Sequence, residues 1–136
     1  MKKIDVYIDG VSKGNPGKSA YGIAIFIDGK IYKKTGGFIG ITTNNIAEYI
    51  SLIFSLIECI PFQKDEIEIK SDSLLLVKQI NGEYKILDEK LKILNFFAKS
   101  LLKRYKRIKI KYIEREKNKI ADEIANSFIE KGDDLF

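Results

Sequence analysis

The spacing of apolar residues changes along the chain, and this change restricts the fold more than any other feature of the sequence. Ile4, Val6 and Ile8 alternate with polar residues, as in a strand with one buried face. Two more strands are predicted over residues 21–27 and 31–38, joined by an Asp-Gly pair typical of two-residue hairpin turns. The first part of the chain is therefore expected to form a three-stranded antiparallel meander.

From residue 44 onward the apolar period lengthens to the 3.6 residues of a helix. Asn44 or Asn45 is placed to cap this helix, and Pro61 to end it. Its apolar stripe consists of Ile46, Ile50, Ile53, Ile57 and Ile60. We therefore expect this stripe to be the face that packs on the sheet.

Shorter patterns complete the domain. They predict a strand over residues 66–71, a short helix over 74–80, a longer helix over 88–105, a strand over 108–112 and a last helix capped by Asn118. The element order βββαβααβα predicts an α/β domain with a five-stranded mixed sheet, three antiparallel strands followed by two parallel ones, and helices on both faces. Because no repeat, linker or low-complexity segment interrupts the pattern, we treat residues 1–136 as one domain.

The composition excludes several classes of protein. The longest apolar stretch, residues 49–59, is far shorter than the ~20 residues that a membrane helix needs, and the N-terminus lacks the apolar region of a secretory signal. We therefore expect a cytoplasmic protein with no membrane partner, and a buried, inert thiol at Cys59. The chain contains no histidine, which excludes Ser-His-Asp and Cys-His triads and most zinc sites.

Positive charge is concentrated in one segment. Residues 99–119 contain ten basic and two acidic side chains, whereas the rest of the chain has a net charge of −3. Such asymmetry favours one basic surface that binds a polyanion, and a solvated surface without function is the alternative. With 21 lysines and 3 arginines, contacts to phosphates are expected rather than the reading of base edges.

Four acidic residues lie where a strand ends or a helix begins: Asp9, Glu48, Asp72 and Asp122. Each has a purely structural explanation, namely a turn at Asp9, a capping box between Asn45 and Glu48, a helix cap at Asp72 and a helix-dipole contact at Asp122. The element order nevertheless brings all four to one edge of the sheet, where like charges stay ionised only around a cation. Oxygen ligands suit Mg²⁺ or Mn²⁺, and such a cluster beside a basic surface fits metal-assisted hydrolysis of phosphodiesters.

Four motifs in order carry a resemblance to a known family. They are Asp9-Gly10-x-Ser12-x-Gly14-Asn15-Pro16-Gly17, Thr42-Thr43-Asn44-Asn45-x-Ala47-Glu48, Ser71-Asp72-Ser73 with Gln79-Ile80-Asn81-Gly82, and Arg115-Glu116-x-Asn118-x-x-Ala121-Asp122 with Ala125-Asn126. Residues 4–130 thus resemble type 1 ribonuclease H in a compact form without an N-terminal hybrid-binding module. Each block alone is common, but the four in this order, at predicted strand ends and helix starts, are specific.

This resemblance implies a ribonuclease H-like fold and an enzyme that hydrolyses the RNA strand of RNA–DNA hybrids to 5′-phosphate and 3′-hydroxyl ends, without sequence preference. It implies that Asp9, Glu48, Asp72 and Asp122 are catalytic and hold two Mg²⁺ ions, with Mn²⁺ as a substitute. The residues it implies for substrate binding are Gly10, Ser12, Asn15, Thr43, Asn44, Asn45, Arg115 and Asn118. Within that set, Asn15, Asn44 and Asn45 match positions that contact 2′-hydroxyls or bases. Thr43 matches a position that binds a DNA-strand phosphate.

The chain departs from the family pattern at three places. The loop before the last helix lacks the histidine that many members carry, so Arg115 or Glu116 is expected to take part of its role. Leu74 stands where some relatives have a polar residue that contacts substrate. Residues 84–106 are too short for the basic protrusion of some bacterial members. The binding surface is therefore expected at residues 99–111, in a monomer whose affinity falls steeply with salt.

Two alternatives remain open. The A-form minor groove of double-stranded RNA also displays 2′-hydroxyls, so the same chemistry extends in principle to that duplex. The second alternative is a hybrid-binding module without catalytic activity. Its expected signature is a broken carboxylate set, whereas all four acidic positions are filled in this sequence.

Overall fold

Five strands and four α-helices are formed by residues 1–133, the part of the chain that the computed structural model describes. Residues 134–136 of the predicted domain lie outside the described residues. The strands are β1 (Lys3–Gly14), β2 (Gly17–Ile27), β3 (Lys30–Thr42), β4 (Glu66–Ser71) and β5 (Arg107–Tyr112). The helices are α1 (Asn44–Glu58), α2 (Leu74–Ile80), α3 (Glu89–Leu102) and α4 (Lys119–Asp133).

The strands form one sheet in the order β3-β2-β1-β4-β5. β1, β2 and β3 pair antiparallel, whereas β4 pairs parallel with β1, and β5 pairs parallel with β4. The turn between β2 and β3 has positive φ angles at both residues, 49° at Asp28 and 83° at Gly29, as a type I′ hairpin requires. The predicted meander and the five-stranded mixed sheet are therefore confirmed.

Helices cover both faces of the sheet, as predicted. α1 packs on β1 and β2 with α3 beside it, while α4 packs against β1, β2 and β3 on the other face. The main core lies on the α1 side, where β1 contributes Ile4, Val6 and Ile8. On the α4 side, a Cβ atom at Gly22 would lie 2.3 Å from the Ala121 carbonyl oxygen, so only glycine lets α4 approach β2 this closely. None of the described helices has the length and apolar content needed to cross a bilayer.

The buried face of α1 differs from the predicted isoleucine stripe. The most buried apolar residues of the helix are Ala47, Leu52 and Leu56, whereas Ile57 is 44% exposed. The stripe therefore lies on the side of α1 that is only partly covered, and the prediction of the packing face is wrong. The predicted burial of Cys59, just after the helix, is confirmed.

Two buried serines explain this difference. The hydroxyl of Ser51 donates to the Glu48 carbonyl oxygen at 2.6 Å, and that of Ser55 donates to the Leu52 carbonyl oxygen at 2.7 Å. Because both hydroxyls are satisfied within the helix, these small side chains can be buried without leaving a polar group unpaired. They let α1 lie close to the sheet on a face that apolar periodicity does not identify.

The basic side chains of residues 99–119 do not form one surface, contrary to the prediction. In β5, alternate residues pack into the core, and Lys109 between them points to the opposite face of the sheet, 3.2 Å from Glu68. The basic residues at the end of α3 lie on the α1 side. They also lie where β5 begins, since the Lys106 N–H donates to the Gln63 carbonyl oxygen. Strand alternation and chain direction therefore divide the basic run between two faces.

Candidate active site

The four predicted carboxylates line one cleft beside the end of β4 and the middle of β1. Asp9 pairs with Gly22 inside the β1–β2 ladder, so the structural explanation that placed a turn at Asp9 is wrong. Asp9, Glu48 and Asp72 each present an oxygen atom, and these three oxygens lie within 4.8 Å of one another. Asp122 lines the same cleft from the start of α4 but is not one of the three. The cleft has a volume of about 300 Å³, and its other lining residues are Gly10, Val11, Ser12, Lys13, Asn44, Arg115 and Asn126. The structure thus brings together the acidic set that the sequence predicted.

The backbone of β1 holds Glu48 in place. Glu48 Oε1 accepts a hydrogen bond from the Gly10 N–H at 2.7 Å, and both residues are buried. A Cβ atom at Gly10 would lie 2.3 Å from the Ala47 carbonyl carbon, so α1 comes this close only because β1 has glycine here. Gly10 is therefore a positioning residue for Glu48.

Neither Glu48 nor Asp72 caps a helix. α1 is capped by Thr43 and α2 by Ser73, each through its side-chain oxygen. The predicted caps of α1, Asn44 and Asn45, are instead its first two residues. The capping explanations of the two carboxylates are therefore wrong, and both side chains are available to a ligand.

Asn118 connects β1 to the cleft from inside the protein. Its side chain is fully buried, and its Nδ2 donates to the Ile8 carbonyl oxygen at 2.8 Å and to Asp72 Oδ2 at 3.2 Å. Its Oδ1 has no hydrogen-bond partner among the described residues. Because a fully buried side chain does not reach the surface of the cleft, we assign Asn118 to positioning Asp72, in place of the predicted substrate contact.

Asp122 is oriented by its own helix. Asn126, one turn later, donates from Nδ2 to Asp122 Oδ1 at 3.2 Å and to the Asp122 carbonyl oxygen at 2.9 Å. Asn126 also lines the cleft. It was not predicted as a site residue, although its spacing of four residues from Asp122 on a predicted helix was the available signal. This amide fixes the direction of the fourth carboxylate.

The carboxylates raise one another's pKa values because they are buried together. Burial, followed by the charges of Glu48 and Asp72, raises the pKa of Asp9 from 3.8 to about 10. Burial and then Asp72 raise the pKa of Glu48 from 4.5 to about 8, against the opposing effects of the Gly10 N–H and Arg115. Without a cation, the cluster therefore holds protons at neutral pH. Three carboxylate oxygens within 4.8 Å are a donor set for a hard divalent ion, so the residues present fit Mg²⁺ or Mn²⁺.

The predicted substrate-contact residues divide between two neighbouring surfaces. Those that line the carboxylate cleft, besides Gly10, are Ser12, Asn44 and Arg115. Those that line a second groove of about 410 Å³, at the start of α1 and α3, are Asn15, Thr43 and Asn45. Asn15 Oδ1 accepts from the Asn44 N–H at 3.0 Å, which joins the β1–β2 turn to α1 and connects the two surfaces.

Replacing Asn118 by alanine is expected to destabilise the protein and to weaken its binding of Mg²⁺. The variant removes the hydrogen bond that Asn118 donates to the buried Ile8 carbonyl and frees Asp72, at a cost of about 1–3 kcal/mol, or a decrease in Tm of roughly 3–9 °C. Calorimetric titration with Mg²⁺ and thermal unfolding measure the two effects. Asn45→Ala at an exposed position is the control, and its free energy of unfolding should change by less than about 0.5 kcal/mol. An equal loss in the two variants would contradict the positioning role.

Comparisons with known proteins identify the family. A family model described as "Reverse transcriptase-like" matches residues 7–128. A ribonuclease HI of Halobacterium salinarum is 36% identical over 129 residues, which are 94% of this chain and 65% of that protein. A crystal structure of RNase H1 from Halobacterium salinarum, also 36% identical, matches with a TM-score of 0.90 over 95% of this chain and 98% of the crystallised chain.

Two further relatives match most of this chain. A bifunctional protein of Mycobacterium tuberculosis is 32% identical over 126 residues, which are 91% of this chain and 35% of that protein. LC11-RNase H1, solved in complex with an RNA/DNA hybrid, is 34% identical and matches with a TM-score of 0.89 over 95% of this chain and 98% of that chain. This chain thus spans 65% of the length of the Halobacterium protein and 35% of that of the mycobacterial one. Since the matches extend over nearly all of its own length and fold, the chain belongs to the type 1 ribonuclease H family.

Proposed function

We propose that the chain is a metal-dependent endonuclease that cuts the RNA strand of RNA–DNA hybrids and leaves 5′-phosphate and 3′-hydroxyl ends. The observation that carries this proposal is the cleft in which oxygens of Asp9, Glu48 and Asp72 converge within 4.8 Å. A relative of 34% identity was solved with an RNA/DNA hybrid, which supports the choice of substrate. The excess of lysine over arginine supports binding to phosphates without sequence preference.

The four carboxylates are the residues that would hold two divalent ions, Mg²⁺ or Mn²⁺. Asp9, Glu48 and Asp72 are close enough to share one ion, and Asp122 is available to a second. Ions bound there would neutralise charge on the attacked phosphodiester and lower the pKa of the attacking water. Since three of the four carboxylates accept hydrogen bonds from the protein itself, they are oriented before an ion binds.

Arg115 is a cationic side chain that interacts electrostatically with the carboxylates. It lies at the exposed rim of the cleft and opposes the rise in pKa of both Glu48 and Asp72. A guanidinium group matches the geometry of two phosphate oxygens. We assign Arg115 to the phosphate beside the cut, and thereby to part of the role of the histidine that many family members carry in this loop.

The amides around the start of α1 account for the choice of RNA over DNA. Asn15, Asn44 and Asn45 are exposed, and a short amide can both donate to and accept from a 2′-hydroxyl, the group that distinguishes the two nucleic acids. Thr43 lies beside them and is assigned to a phosphate of the DNA strand. The helix-capping hydrogen bond of its hydroxyl fixes the side chain for that contact.

Cleavage of end-labelled duplexes tests this function directly. RNA/DNA, RNA/RNA and DNA/DNA duplexes are incubated in EDTA, Mg²⁺ or Mn²⁺ with the wild type and with Asp72→Asn. We expect the RNA strand of the hybrid to be cut internally, only in the presence of a metal and only by the wild type. Cleavage of RNA/RNA would widen the substrate class to double-stranded RNA. Binding of the hybrid without cleavage under any metal would replace the proposal with a hybrid-binding module.

A further inference from the structure

Residues 1–133 leave the sheet face on which α4 packs uncovered by a helix over β4 and β5, beside the cleft. α4 packs on β1, β2 and β3, and the adjoining strands carry charged side chains on the same face. We call this region the open face. Its outward residues are Glu66, Glu68 and Lys70 from β4, and Arg107, Lys109 and Lys111 from β5.

Ion pairs engage several of the cations on and beside the open face. Glu68 lies 3.2 Å from the ammonium of Lys109 and 3.9 Å from that of Lys3. Lys70 lies 3.2 Å from Asp5. These cations already have carboxylate partners, so they have little tendency to bind a further anion.

Two other lysines at the end of this face beside the cleft are differently placed. Lys111 at the end of β5 and Lys117 in the turn before α4 are exposed, and within residues 1–133 neither ammonium has a carboxylate within 4.0 Å. They line a groove of about 390 Å³ together with Tyr7 and the ion-paired Lys70. Among the described residues that line this groove, Glu114 is the only acidic one. We call this the Lys111–Lys117 groove.

The Lys111–Lys117 groove adjoins the carboxylate cleft. Lys111 pairs with Lys70 in the sheet, two residues before Asp72, which places it about 7 Å from the cleft along the strand direction. Arg115, between the two lysines in sequence, lines the cleft itself. Each strand of a duplex carries one phosphate per ~3.4 Å of helix axis, so the phosphates next to the one at the carboxylates come within reach of this groove.

The basic residues that end α3 lie away from the cleft. The Tyr105 hydroxyl donates to the Leu56 carbonyl oxygen near the end of α1, and Glu48 lies eight residues earlier on that helix, or about 12 Å along its axis. Lys103 and Lys106 flank Tyr105 and are exposed. They belong to residues 99–111, where the sequence predicted the binding surface, but the fold places them at the opposite end of the sheet from the cleft. Because they carry the same charge as the groove lysines, they are suitable controls.

We propose that the Lys111–Lys117 groove binds the sugar-phosphate backbone of the strand held in the cleft, where that strand continues beyond the cut. The identity of the strand rests on the proposed function. Two ammonium groups that have no carboxylate within 4.0 Å among residues 1–133 attract phosphates as point charges. They offset the repulsion that the carboxylates exert on the same backbone, and so guide one flank of the duplex into the cleft.

A chimeric duplex tests the groove one flank at a time. One strand is DNA with a central block of ribonucleotides, its partner is DNA, and the flank on either side of the block is lengthened in turn. Binding is measured by fluorescence anisotropy in Mg²⁺ with all proteins carrying Asp72→Asn, and cleavage is measured with Asp72 intact. The groove variant is Lys111→Glu/Lys117→Glu. The matched control, Lys103→Glu/Lys106→Glu, makes the same charge change away from the cleft, and thermal unfolding verifies that both variants fold.

The reference protein is expected to gain affinity as one of the two flanks is lengthened. The groove variant should lose that gain, by about tenfold at low salt, and its slope of log Kd against log salt should be smaller by about two. The control should keep most of the gain. Equal losses in the two variants, or no loss in the groove variant, would overturn the inference. If the protein with Asp72 intact leaves the ribonucleotides uncut, the proposed function fails, while the flank dependence still decides the role of the groove.

Discussion

Asp9→Asn is expected to slow cleavage of the RNA strand by at least about 10³-fold and, at the same time, to raise the Tm of the metal-free protein by roughly 3–6 °C. The rate falls because an amide replaces one of the three charged oxygens that lie within 4.8 Å of one another. The Tm rises because Asp9 is only 4% exposed and must take up a proton on folding to be buried beside Glu48 and Asp72. The amide has nearly the same shape and needs no proton.

Glu123→Gln is the matched control for this prediction. It removes one negative charge next to Asp122 in sequence, but at an exposed position outside the cleft, so neither the rate nor the Tm should change appreciably. In Mg²⁺ the order of stability between the wild type and Asp9→Asn should reverse, because an ion stabilises the protein that binds it more tightly. A lower Tm for Asp9→Asn than for the wild type in EDTA would show that the carboxylate stabilises the fold, contrary to the electrostatic argument.

The features that could be predicted from the sequence are those that local chemistry determines. An Asp-Gly pair adopts the two positive φ angles of the turn at Asp28 and Gly29. Asp88, where the third helix was predicted to begin, caps α3 by accepting from the Leu91 N–H at 3.0 Å. The four carboxylates could be found because the element order brings β1, the end of β4 and the starts of α1 and α4 to one edge of the sheet, although Asp9 lies within β1 and not at its end.

Contacts between distant residues could not be predicted in this way. Asn118 reaches Ile8 across 110 positions and Asp72 across 46, and no local pattern distinguishes this arrangement from an ordinary helix cap. The packing face of α1 was missed because Ser51 and Ser55 satisfy their hydroxyls inside the helix and are buried despite being polar. Both errors arise because burial of a polar group depends on its hydrogen-bond partner, which the sequence does not identify.

The pH dependence of stability in EDTA follows from the shared burial of the carboxylates. Asp9 and Glu48 have ordinary pKa values of 3.8 and 4.5, and pKa values of about 10 and about 8 in the folded protein. Between these limits the folded state binds more protons than the unfolded state, so the free energy of unfolding decreases as the pH rises. Between about pH 5 and about pH 8, the Tm of the wild type should therefore fall more steeply than that of Asp9→Asn, which has one such group fewer.

Divalent ions should displace the protons that the cluster holds. Because carboxylates bind a metal only when they are deprotonated, the affinity for Mg²⁺ should rise with pH, and about one to two protons should be released per protein at neutral pH. Calorimetric titrations in two buffers of different ionisation enthalpy measure this number, which should be smaller for Asp9→Asn. Release of no protons by the wild type would mean that the carboxylates are already ionised without a metal. Their charge would then have to be balanced by the protein itself, and Arg115, the cation that already opposes the pKa rise of Glu48, would be the first side chain to test.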